Sequence, residues 1–117
     1  MSVEIFKRNL PGWKRAGIDN SSPAAVVDGQ GLIRLNSAAA RRMYEKGVGS
    51  VDLGFDHETG RFEIRVGEGY RFGYRPSRGR ISARAFTKWA GIRGKGWIPL
   101  VAGDGNPPEL LYWGEFK

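Results

Sequence analysis

The chain of 117 residues contains no cysteine and one histidine. Without thiols there can be no disulfide framework, thiolate zinc centre, iron–sulfur cluster or cysteine nucleophile, and a lone imidazole leaves little for a histidine metal site. Long apolar runs are also missing. No stretch approaches the roughly 18 residues that cross a bilayer as a helix, and Met1 to Arg8 has no signal-peptide apolar region. The expectation is therefore a cytoplasmic chain with no membrane partner. A third absence is local: from Tyr70 to Gly96 there is no Asp or Glu.

What is present is a single domain's worth of chain, 40% hydrophobic and 12% aromatic, enough apolar material for a core. Gly supplies 18 residues and Pro 6, so turns are expected to be frequent and long helices few. The formal net charge is +7 and the sequence pI is near 10.1. Such a balance points to an anionic partner, with nucleic acid ahead of a membrane surface.

The excess is unevenly placed. Residues 24–69 carry 6 basic against 7 acidic side chains, whereas residues 70–117 carry 9 against 3. The acid-free stretch holds Arg71, Arg75, Arg78, Arg80, Arg84, Lys88, Arg93 and Lys95, interleaved with Tyr70, Phe72, Tyr74, Phe86 and Trp89. Most of these cations are Arg, whose planar fork suits phosphate oxygens and guanine edges. Solvated faces normally mix signs, and this one does not.

Glycines and alternating apolar residues repeat in order. Ala24 to Leu35 reads as strand, turn at Asp28-Gly29, strand; Asn36 to Tyr44 reads as a short helix capped by Asn36 or Ser37 and stopped by Gly47. Val51 to Phe55 and Arg61 to Val66 then alternate around the turn Asp56 to Gly60, as a hairpin does. The second half runs through the same order: Tyr70 to Arg75, the turn Pro76 to Gly79, Arg80 to Ala83, the helix Arg84 to Ala90 ended by Gly91, and a hairpin from Gly96 to Trp113. The match is strongest where Gly31-Leu32-Ile33-Arg34-Leu35 lies against Gly79-Arg80-Ile81-Ser82-Ala83. Residues 1–23 form an N-terminal arm or edge strand, 24–69 a first unit and 70–117 a second, strongly basic unit of one compact domain. In the arm, Ile5, Phe6 and Trp13 are expected to pack on an open barrel edge.

The order of turn, Gly-x-Ile strand, short helix, Gly-Val or Gly-Ile, then hairpin, carried here by Gly31 to Leu35, Gly47-Val48, Gly79 to Ser82 and Gly91-Ile92, resembles the AbrB/MazE-type swapped-hairpin transcription regulators. The resemblance implies a mainly β fold with small helical content: a duplicated swapped-hairpin-like barrel with two short helices, a single-chain pseudo-dimer. It also implies basic side chains lying in a DNA major groove. The Pro that follows the Gly-x-Ile strand in that family is Asn36 in the first unit and Arg84 in the second.

Other chemistry finds less support. His57 sits between Asp56 and Glu58 in a turn and lacks the second His of a helical zinc site, and neither Gly67-Glu68-Gly69 nor Gly94-Lys95-Gly96 opens a phosphate-loop helix. No nucleophile–base arrangement is evident, so no enzyme activity, cofactor or metal is expected. Phe86 and Trp89 are expected in the core, as are Phe55, Phe62, Ile64, Val66, Trp97, Leu111 and Trp113; Tyr70 and Tyr74 are read as one strand face, with Phe72 off it.

Double-stranded DNA is the expected partner. Arg71, Arg75, Arg78, Arg80, Arg84 and Lys88 are the candidate contacts, with Arg34, Arg41 and Arg42 as the first unit's weaker counterparts. An acidic protein surface and RNA are the alternatives. Two units in one chain allow a stable monomer, and a homodimer is the other possibility.

Overall fold

Turn chemistry sets the first hairpin. In the computed structural model, which describes residues 22–75, 78–105 and 109–116, β1 (Ala24–Val27) and β2 (Leu32–Leu35) are joined by a turn built on Asp28. Its carboxylate accepts the N–H groups of Leu32 and Gln30, both at 2.9 Å, and Gly31 supplies the left-handed φ of 88° that lets the chain turn back. The Leu32 N–H leads in holding the Asp28 carboxyl below its ordinary range, against an opposing burial effect; Gln30 and the Arg34 charge add to the lowering.

Asn36 then does two jobs. Its Oδ1 accepts the Ala39 N–H at 3.1 Å, capping α1 (Ser37–Glu45), and the Ala24 N–H at 3.0 Å, tying that cap to β1. Strands β3 (Ser50–Asp56), β4 (Arg61–Val66), β5 (Tyr70–Arg75) and β6 (Arg78–Ser82) lead to α2 (Arg84–Ala90), with β5 crossing back to pair with β3. Both helices stop the same way. Val48 and Ile92 donate back to the carbonyls of Met43 and Thr87, around Gly47 and Gly91 at positive φ.

The remaining strands are β7 (Lys95–Pro99), β8 (Val101–Ala102) and β9 (Leu110–Glu115). The antiparallel sheet has the order β7-β1-β2-β6-β5-β3-β4-β9-β8, and only Leu100 separates β7 from β8. One run of chain thus pairs with β1 on one side and β9 on the other, which nearly closes the sheet into a barrel. Buried Leu100 marks the crossover, its N–H donating to the Pro23 carbonyl at 2.9 Å.

The duplication is visible in the pairing. Exchanging β1, β2, α1, β3 and β4 for β5, β6, α2, β7/β8 and β9 turns every strand pair into another that is also present: β3 pairs with β5 as β7 pairs with β1. The exchange axis crosses the sheet twice, at the facing pair Ile33 and Ile81 and at the facing pair Glu63 and Trp113. Each unit's last hairpin is interleaved with the other unit's first strand, so the chain is a pseudo-dimer within itself.

Gly31 and Gly79 are matched for a packing reason. A Cβ on Gly31 would lie 2.7 Å from Thr87 Oγ1 and 2.9 Å from the Arg84 Cα of α2, while one on Gly79 would lie 2.5 Å from the Phe72 ring and 3.0 Å from the Ala40 Cβ of α1. Each unit's helix is seated on the other unit's glycine.

Inside lie Val27, Ile33, Leu35, Met43, Val51, Phe62, Ile64, Ile81, Ile92, Leu111 and Tyr112, all within 1% of full burial. Several aromatics expected there are elsewhere. Trp89 is 60% exposed, because α2 buries Phe86, Thr87 and Ala90 and Trp89 falls off that stripe. Trp97 is 41% and Val66 39% exposed; Phe55 is half-buried. On β9 a register shift between Ile64 and Arg65 leaves Leu110, Leu111 and Tyr112 all buried, and Trp113, facing Glu63, is only half-buried beneath the Arg61 guanidinium. Phe72 is buried and shares its strand parity with half-buried Tyr70 and Tyr74, so the three form one inward face. The N-terminal arm to residue 21 lies outside the described residues.

Candidate nucleic-acid interface

Strand parity sorts the charged residues of the β1-β2-β6-β5 side. Ile33, Leu35, Phe72 and Ile81 point inward and are buried, so Arg34, Arg71 and Arg80 must point outward, and all three are exposed. Register then brings cations together. Arg34 stands directly opposite Arg80 across the β2–β6 ladder, and Arg75 opposite Arg78 across β5–β6. The side chains of Arg75 and Arg78 lie outside the described residues. Gly73 is the cross-strand neighbour of Arg80 on its other flank and carries no side chain to shield it.

Like charges directly opposed on one strand pair cost the fold a few tenths to about 1 kcal/mol. Arg34 has partial relief from Asp28, at 3.7 Å; among the described residues Arg71 and Arg80 make no ion pair. The second helix extends the patch. Arg84 and Lys88, four residues apart, share a face of α2 and are exposed. Arg84 also borders a shallow depression with Ser82, Leu32 and Gln30, next to the Arg34–Arg80 pair.

The first helix contributes less. Arg41 is exposed and lies three residues from Tyr44, whose ring stacks on Tyr74 of β5 at 4.3 Å and 16°, so Arg41 borders the β5–β6 hairpin. Arg42 turns the other way. Its guanidinium donates to the Leu111 carbonyl at 3.1 Å and lies over the Tyr112 ring, whose phenol burial pushes above its ordinary pKa. Arg93 is likewise used internally, donating to the Gly29 carbonyl at 2.8 and 3.2 Å.

The opposite side of the barrel differs in kind. On β4, Glu63 accepts from Arg61 Nε at 2.7 Å and from Arg65 Nε at 3.0 Å. Partial burial raises the Glu63 pKa, but the two guanidinium bonds outweigh it and leave the carboxyl below its ordinary value. Around this fork Asp52, Asp56 and Glu115 are exposed, so the charge there is mixed.

Two features were not visible in the sequence pattern. Tyr44 is exposed beside the patch, and no apolar spacing marks it because the buried stripe of α1 is Ala39, Ala40 and Met43. His57 fixes the β3–β4 turn to the end of α2: its Nε2 is 3.2 Å from the Trp89 carbonyl and its ring meets the Trp89 ring edge-on at 4.6 Å. Among the described residues no three His, Cys, Asp or Glu side chains are grouped as metal ligands, and no helix is long and apolar enough to cross a membrane. The chain matches no family model, no curated protein and no solved structure.

Proposed function

We propose that this protein is a non-enzymatic binder of double-stranded DNA, a transcription regulator or mobile-element accessory factor. The observation that carries the proposal is the opposed pair Arg34 and Arg80 on the outer face of the β2–β6 ladder. Direct apposition of cations is unfavourable in the free protein and becomes favourable when a polyanion lies across them. The exposed Arg71, Arg84 and Lys88 widen that surface. The interleaved hairpins add support, being of the kind that the resemblance to AbrB/MazE-type regulators implies.

Phosphate contacts from about six cations give a log–log salt slope near −5, so a 30-base-pair duplex should be shifted in a gel at about 50 mM salt and released as salt rises. Arg80→Glu with Arg84→Glu should abolish the shift. No wild-type shift at that salt, or a shift indifferent to salt, would refute the reading. Competition among duplex DNA, duplex RNA and single strands separates an RNA-binding role. Recovery of a protein partner from nuclease-treated lysate, with no duplex shift, would favour docking on an acidic protein surface instead.

A further inference from the structure

The two facing arginines are not held alike. Arg34 Nε lies 3.7 Å from Asp28 Oδ2, and Asp28 is itself fixed, its Oδ1 accepting the N–H groups of Gln30 and Leu32, both at 2.9 Å. The carboxylate is thus anchored to the backbone of the β1–β2 turn and gives the guanidinium a fixed charge to lie against. Arg80 has no such anchor. Its neighbours across the strands are Arg34 and Gly73, and among the described residues it makes no ion pair. Across the outer face the row runs Val26, Arg34, Arg80, Gly73, so the two arginines stand between shorter neighbours.

With Nε turned to a carboxylate, the two terminal nitrogens form the open end of the fork. Arg34 makes no hydrogen bond and no other ion pair among the described residues, and its side chain is 44% exposed, so that open end is available to a partner. Two parallel N–H donors match the O6 and N7 acceptors of a guanine edge, and a fork already oriented loses less freedom on meeting a rigid base. Asp28 also offsets the Arg34 charge locally, which weakens its general attraction for phosphate. The uncompensated Arg80 suits phosphate oxygens, which fix a protein on the duplex and carry no sequence information. Resting on the duplex-DNA reading above, we infer that Arg34 determines sequence specificity by pairing its terminal nitrogens with one guanine, that Asp28 is the positioning residue that aims it, and that Arg80 holds phosphate.

A pool of 30-base-pair duplexes with a randomised centre supplies the test. Selection by wild type should enrich guanine at one position of the site by about tenfold over the other bases. R34K keeps the charge and loses the fork, so the salt slope should stay within about 0.3 of wild type while that preference disappears. R80A should do the reverse, keeping the preference and making the slope shallower by about 0.9. D28N checks the positioning, because an asparagine carbonyl can still accept the Gln30 and Leu32 N–H groups. It should bind the unselected pool as tightly as wild type or more tightly, one repelling charge being gone, yet prefer guanine several-fold less. A preference that survives R34K, or wild-type selection that binds duplex and enriches no base, would overturn the inference with the DNA reading intact. Equal losses of pool affinity and preference in D28N would overturn the role of Asp28. Absence of any wild-type binding would instead remove the DNA reading on which the inference rests.

Discussion

The two places where the exchange axis crosses the barrel make opposite use of arginine. At the Glu63 crossing, Arg61 and Arg65 converge on one carboxylate, and Arg61 also covers the face of Trp113. At the Ile33 crossing, Arg34 and Arg80 stand opposite each other across the β2–β6 ladder, Arg34 within 3.7 Å of Asp28 and Arg80 with no ion pair among the described residues. The first arrangement joins both of its arginines to one carboxylate; the second has a carboxylate beside Arg34 alone. Counting arginines would not separate them, because each crossing has two, Arg61 and Arg65 on the single strand β4 and Arg34 and Arg80 on neighbouring strands.

The largest expected effects lie beneath the crossings. Gly31→Ala forces a Cβ against the Arg84 backbone at a residue with φ of 88°, whereas Gly79→Ala meets the Phe72 ring and the Ala40 methyl at an ordinary strand residue. Gly31→Ala should cost about 2–4 kcal/mol by denaturant unfolding and Gly79→Ala about half as much, since a ring can shift and a backbone cannot. Equal costs would mean that the reciprocal seating of the helices is not what demands glycine. Ile33→Ala and Ile81→Ala, fully buried at the axis, should each cost about 2–5 kcal/mol.

Glu63 offers a pH test of the neutralised crossing. Its carboxyl is lowered on folding, so its contribution to stability is present above the ordinary carboxylate pKa and is lost as pH falls through the folded value. Glu63→Gln should therefore cost on the order of 1 kcal/mol at neutral pH, with the gap from wild type closing on acidification. A gap independent of pH would remove the charge-assisted fork from the account. Trp89→Ala marks the small end of the scale: its ring is largely exposed and His57 bonds its backbone, so stability should change by about 0.5 kcal/mol or less.

Much of the architecture was legible in the sequence because turn residues carry their own geometry. Asp28, Gly47, Gly60 and Gly91 sit at the turns and helix ends that their residue types predict, and Gly31 and Gly79 marked the same place in both units. The inward aromatics were harder, since a single register shift on β9 and the narrow stripe of α2 decide where Trp113 and Trp89 point. The internal use of Arg42 was not legible at all. It depends on Leu111, 69 residues away, and no local pattern reports that contact. The facing of Arg34 and Arg80 is also long-range, although the match of Gly31 to Leu35 with Gly79 to Ala83 already placed both on equivalent strands.

Arg80→Glu puts the contrast between the crossings into one protein. It converts an opposed pair of cations into a cross-strand ion pair with Arg34, so unfolding in denaturant should become harder by roughly 0.2–1 kcal/mol. Binding of the same variant to a 30-base-pair duplex should weaken at least tenfold at low salt, and its salt slope should become shallower by about 0.9 or more. Greater stability together with weaker binding is the result predicted for a charge pair held apart for an external anion. Lower stability with unchanged duplex affinity would contradict it.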